Sequence, residues 1–218
     1  MAIKGLSKPI CSTYQVNGNV VTYSEPYTAD YAVEYSFEAK IASDNDLYAD
    51  NNIKESAAGK FASGSLTLKT ADLTPSLSKK IIGLRTVTRT VAGKEVTDVV
   101  YDDNLRQPDL GFGIIEEHEI DGITKYLPII FPKIKFNVPG NAATTRGNEI
   151  EWKTREVTAK VMRSDQADEN YNHPWQISPE ELYDTEAEAE EYIKAVLSPK
   201  EEDTGGTVPE ENKTEGIG

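Results

Sequence analysis

From Tyr31 to Ile41 the chain reads YAVEYSFEAKI, with Val33, Tyr35, Phe37, Ala39 and Ile41 in one phase and Glu34, Ser36, Glu38 and Lys40 in the other. Successive side chains of a strand point to opposite faces, so this alternation predicts a half-buried antiparallel strand, the first phase inward and the charges outward. Upstream, short apolar segments flank Asn17-Gly18, a pair that tolerates the left-handed backbone of a tight hairpin. Downstream, SGSLTLKTA predicts a short strand carrying Leu66 and Leu68. LRTVTRTVAGKEVTDVVY predicts a hairpin turning at Ala92-Gly93-Lys94, although alternating threonines leave its register open. Residues 110–138 predict successive strands joined at Asp121-Gly122. Within them Pro128 and Pro132 lack the amide a central ladder needs, which requires an edge, a bulge or a strand end. A further strand carries Val157, Ala159 and Val161 in one phase and Ile150 and Trp152 in the other, predicting a bulge between Lys153 and Glu156.

Two segments carry helix signals instead. In TPSLSKKIIG, Thr74 is placed to cap, Pro75 suits the first helical position, and Gly83 supplies the stop. In TEAEAEEYIKAVL, Thr185 and Glu188 have capping-box spacing, and Tyr192, Ile193, Val196 and Leu197 form one stripe. Seven or eight short strands are more than one sheet holds without curling. The predicted fold class is therefore mainly β, an antiparallel β-sandwich or partial barrel with one short and one C-terminal flanking α-helix. The expected division is a partly flexible N-terminal arm over 1–15, a single domain over 16–197 containing a long structureless connection at 42–62, and an acidic disordered tail over 198–218.

Charge narrows the function classes. With 23 basic against 37 acidic residues the 218-residue chain carries a formal charge of -14, which argues against a surface that grips nucleic acid. The same charge suits a wall that nucleic acid must pass without sticking. No apolar run approaches the roughly 20 residues needed to cross a bilayer. The start lacks the apolar core of a secretory signal, so the chain is expected to stay where it is made. Its single cysteine, Cys11, has no partner for an intrachain disulfide or a zinc knuckle.

The densest set of potential ligands is SDNDLYADNNIKES, from Ser43 to Ser56. Asp44, Asp46 and Glu55 fall at positions 1, 3 and 12 of a calcium loop, but Tyr48 and Ala49 occupy the places that need an oxygen ligand and a turning glycine. The two histidines, His118 and His173, come with no GxSxG elbow. Acid pairs such as Glu116-Glu117 and Glu180-Glu181 are sequence neighbours, whose side chains diverge on a strand. No metal, cofactor or catalytic residue is assigned, and no enzymatic reading comes with a mechanism.

The order of several segments carries more than any one of them. GLSKPICSTY at Gly5 to Tyr14, LYADN at Leu47 to Asn51 with Ser56, GSLTL at Gly64 to Leu68, and DLTPSLSKKIIG ending at Gly83 come first. LGFGII at Leu110 to Ile115, YLPIIFPKIKF at Tyr126 to Phe136 and YDTEAEAEEYI at Tyr183 to Ile193 follow. In that order they resemble the major tail proteins, or tail tube proteins, of long-tailed non-contractile bacteriophages, in particular the phi13-type group. The resemblance covers most of residues 3–197.

It implies a β-sandwich protomer with a flanking helix, six of which close into a ring, with rings stacked into a hollow tube through which phage DNA passes without specific binding. The implied partners are copies of the chain itself, a tape measure protein inside the tube, and tail terminator and distal tail or baseplate proteins at its ends. No membrane is implied, and the implied location is the virion tail, after synthesis in the bacterial cytoplasm. Asp46, Leu47, Tyr48, Ala49, Asp50, Asn51, Asn52 and Ile53 then take the role of an inter-ring contact loop, with Leu47, Tyr48 and Ile53 as apolar anchors. Glu34, Glu38 and Lys40 are the candidate solvent- or lumen-facing charges. The rival readings are a metal- or carbohydrate-binding β-sandwich of a virion or cell surface, its 11 tyrosines lining a groove, and a small hydrolase.

Overall fold

The computed structural model describes residues 2–29, 32–49, 52–71, 73–140 and 154–198, with the backbone alone at 45–49 and 52–54. In chain order the elements are β1 (Ala2–Asn17), β2 (Val20–Tyr23), β3 (Tyr27–Thr28), β4 (Ala32–Ile41), β5 (Asn45–Ala49), β6 (Asn52–Ala57) and β7 (Phe61–Thr70). They continue as α1 (Pro75–Ile82), β8 (Arg85–Val91), β9 (Lys94–Val100), β10 (Leu110–Ile120), β11 (Ile123–Phe136), β12 (Arg155–Met162) and α2 (Glu186–Val196). The protein is mainly β, with antiparallel sheets and two helices.

One sheet runs β2-β1-β10-β11-β12-β7-β4, with β3 also on β1. It curls until its two ends are neighbours, because β4 comes into contact with β1. Residues 2–8 of β1, on the side away from β10, and the outer side of β4 have no strand partner among the described residues. A cleft of about 510 Å³ lies there, lined in part by Leu6, Ser7, Pro9, Ala29 and Ala32. The curl encloses Phe112, Phe131, Phe136, Leu66 and Val157, with Leu77, Ile81 and Ile82 of α1 packed into the same cluster. On the reverse face, α2 sets Ala189 and Ile193, with Leu197 just beyond it, against Ile10, Ile115 and Ile130.

Local signals account for the helix ends and turns. Thr74 Oγ1 accepts from the Leu77 amide at 3.2 Å, and Gly83 takes the left-handed conformation at φ 75°. Thr185 and Glu188 complete a capping box, which satisfies amide donors that the first turn of a helix leaves open. Ala92-Gly93 and Asp121-Gly122 turn their hairpins with both residues at positive φ, the geometry that matches the strands' twist.

The prolines of β11 find two different accommodations. Pro132 sits at a register shift opposite Gly111, so the ladder passes it by. Tyr126 and Ile130 donate their amides to Tyr183 and Ile177 of the C-terminal segment. Pro128, two residues from each, turns its missing donor to that same side and costs the β10 ladder nothing.

Two expectations are corrected, and a third is tested in part. The stretch assigned to a flexible arm is instead most of β1, the longest strand, paired along β10. Its alternation is broken by a bulge at Lys8, where φ is 50°, and that break hides the strand from a period-two reading. The connection at 42–62 is not structureless, since it contains the β5–β6 hairpin and the start of β7. The bulge expected near 153–156 is absent at Arg155 and Glu156, which pair in register with Thr70 and Lys69; Lys153 and the tail at 199–218 lie outside the described residues.

Candidate assembly surface

Among the described residues two hairpins, β5–β6 and β8–β9, each pair only with themselves and lie outside the main sheet. In the first, Asp46 pairs with Ser56, Leu47 with Glu55, Tyr48 with Ile53 and Ala49 with Asn52. Six of the eight candidate contact residues are therefore held on one ribbon, while Asp50 and Asn51, between Ala49 and Asn52, lie outside the described residues. At the ribbon's base Asp44 Oδ1 accepts the Gly59 amide at 2.8 Å and the Ala42 amide reaches Lys60 O at 2.9 Å. Asp44 thus fastens a backbone turn.

In the second hairpin β8 is exposed throughout, and only the last three residues of β9 are partly covered. A two-stranded ribbon with so little cover is marginal by itself in water.

The edge strand β4 divides its residues differently from the strict alternation. Glu34, Glu38 and Lys40 are exposed, and Glu34 accepts from Lys69 at 2.6 Å. Tyr35 and Phe37 turn inward, as their phase predicts. Val33 and Ile41, expected in the core, are 52% and 55% exposed. Register shifts at both ends of the β4–β7 ladder are the reason: Ala32 and Glu34 face adjacent β7 residues, leaving Val33 as the extra residue of a bulge, and the pairing slips again before Ile41.

Across the interior, the Tyr35 hydroxyl donates to Glu116 Oε1 on the opposite wall, and Glu116 Oε2 lies 2.9 Å from His118 Nε2. Glu116 and His118 are both buried, and His118 Nδ1 has no hydrogen-bond partner among the described residues. Burial first, and then the bond to Glu116, push the Tyr35 hydroxyl above its usual range, so it remains a donor. Sequence reasoning weighed adjacent acids and missed this group, although residues two apart share a strand face and His118 follows Glu116 at that interval.

A second polar group ties the start of the chain to its last third. Tyr14 Oη donates to Asp165 Oδ2 at 2.9 Å and accepts the Asp165 amide at 2.9 Å, while Lys133 Nζ donates to the same carboxylate at 2.5 Å. The Lys133 bond holds the Asp165 carboxyl below the usual carboxylate range. His173, expected as an ordinary loop residue, places Nδ1 3.0 Å from Ser164 O. Cys11 is buried, which pushes its thiol up to about 12 and makes it a poor nucleophile at neutral pH. No group of three or more His, Cys, Asp or Glu residues gathers for a metal among the described residues.

Comparison with known proteins adds no relative: no family model matches the chain, and no curated protein matches it.

Proposed function

We propose that the chain is a self-assembling structural subunit whose copies close into rings and stack into a tube, the role of the phage tail proteins its segment order resembles. The observation that carries this reading is the pair of self-paired hairpins that stand apart from the main sheet, together with an edge strand, β4, whose outer side has no strand partner among the described residues. Unpaired strand edges and exposed ribbons are what proteins that remain monomeric cover or blunt, and what assemblies use to join subunits. A single repeated heterologous contact closes a ring, and a contact between ring faces extends it.

The β5–β6 ribbon is the contact between successive rings in this reading. The acidic balance of the chain supplies a wall that repels the phosphate backbone, with Glu34 and Glu38 among its exposed carboxylates. Negative-stain microscopy of the purified protein over a series of salt and protein concentrations tests the proposal, with rings and uniform hollow rods expected. A protein that stays monomeric throughout, and is missing from rods of phage particles made by cells that produce it, overturns it.

A further inference from the structure

The β8–β9 ribbon has two unlike faces. Residues directly opposite in an antiparallel ladder share a face, so the pairs Arg85 with Val100, Val87 with Asp98, Arg89 with Val96 and Val91 with Lys94 define one of them. Thr86 with Val99, Thr88 with Thr97 and Thr90 with Glu95 define the other. Val99 packs against the main core, so the threonine face looks toward the body and the valine face looks away from it. On that outward face Val87, Val91 and Val96 are 40%, 48% and 39% exposed. They alternate with three cations and one acid, in a chain whose acids outnumber its bases 37 to 23.

Basic charge interleaved with exposed valine, on a ribbon that is marginal unless covered, fits a counter-surface that is acidic and partly apolar. Every other copy of the chain offers the acidic part, because Glu180, Glu181, Asp184, Glu188 and Glu191 are exposed along α2 and just before it, with Asp184 paired to Lys125 and Glu188 in the capping box.

We infer that the outward face of the β8–β9 ribbon is a contact arm that lies on the acidic surface of a second copy of this chain. Val87 and Val96 are covered in the contact. Arg89 already shares Asp98 within the ribbon at 2.6 Å, so Lys94 at the tip is the cation most available to a neighbour's carboxylates. The inference rests on the self-assembly reading and adds the surface by which one copy holds the next.

The test compares the full chain with its V87S/K94E/V96S variant by sedimentation velocity over a concentration series, with circular dichroism to follow folding. The ribbon is outside both hydrophobic clusters except at its base, so the variant is expected to melt as the parent does. The concentration at half-assembly is expected to rise roughly ten-fold or more, with a weaker salt dependence. K94E alone, a tip substitution that leaves folding intact, is expected to reproduce the loss of salt dependence. An acidic-surface variant, E180K/E181K/E191K, is expected to assemble poorly by itself and to co-assemble with V87S/K94E/V96S. If the parent assembles and the ribbon variants assemble at the same concentrations and salt, the ribbon inference fails while the self-assembly reading stands. A parent that never self-associates removes both.

Discussion

The Cγ2 methyl of Ile193 lies 2.4 Å from the position that a Cβ on Gly113 would take. Helix α2 therefore rests directly on the backbone of β10, and the glycine is there because nothing larger fits. Gly113→Ala is expected to destabilise the fold by about 1–3 kcal/mol through overpacking, measured as a lower urea midpoint with an unchanged slope. An unchanged midpoint would show that α2 lifts off the sheet at no cost.

Tyr35 and Glu116 join the outermost strand to the far wall of the curled sheet. Removing the hydroxyl leaves a buried carboxylate short of one donor, so Tyr35→Phe is expected to cost about 1–3 kcal/mol. Glu116→Gln in the Tyr35→Phe background is expected to cost less than it does in the parent, because the two share one bond. Additive losses in that double-mutant cycle would separate the two residues energetically.

The depressed Asp165 carboxyl makes a contribution that depends on pH. Its folded value lies below the unfolded one of about 3.9, so the stabilisation is complete above that value and fades as pH falls through the folded value. Asp165→Asn is expected to lower stability at pH 7 and to converge with the parent once the pH has fallen through the folded value, followed by chemical denaturation at each pH. The side chain is 42% exposed, so solvent screening keeps the difference small. A gap between the two proteins that persists at acid pH would assign the loss to Asp165's hydrogen bonds with Tyr14.

Leu47 and Tyr48 lie on a ribbon that the main sheet does not need for pairing. Replacing both with serine is expected to leave thermal unfolding within about 0.5 kcal/mol of the parent while rods become short or absent under the microscope. Normal tubes from that double variant would remove the inter-ring role from β5–β6.

The parts of the fold that local chemistry controls were legible from the sequence. Thr74, Pro75 and Gly83 bracket α1, Thr185 and Glu188 start α2, and Asp121-Gly122 turns β10 into β11, because caps and tight turns depend on a few adjacent residues. What long-range contact controls was hidden. Trp175 lies in a segment with no periodicity, yet it stacks on Phe61 at 4.5 Å between ring centres and on Phe37 at 5.8 Å. The β5–β6 hairpin was missed because Leu47 and Tyr48 are adjacent and polar residues fill most of the stretch around them, so no period-two alternation stands out in the sequence. Bulges at Lys8 and Val33 each shift the phase of a strand by one residue, which a strict period of two reads as an end or as a buried position.

The order of strands in the main sheet also governs when the molecule can be finished. β1 must wait for β10, and β7 for β12, before either has its second neighbour. A chain emerging from the ribosome consequently carries β1 half-paired until its middle third is made and β7 half-paired until its last third is made, the arrangement that slows folding and invites mispairing. For the self-assembly proposed above, late closure has a use. The acidic surface at 180–191, proposed to receive the β8–β9 ribbon, is made last, so in that proposal a copy can hold a neighbour's ribbon only when it is nearly whole.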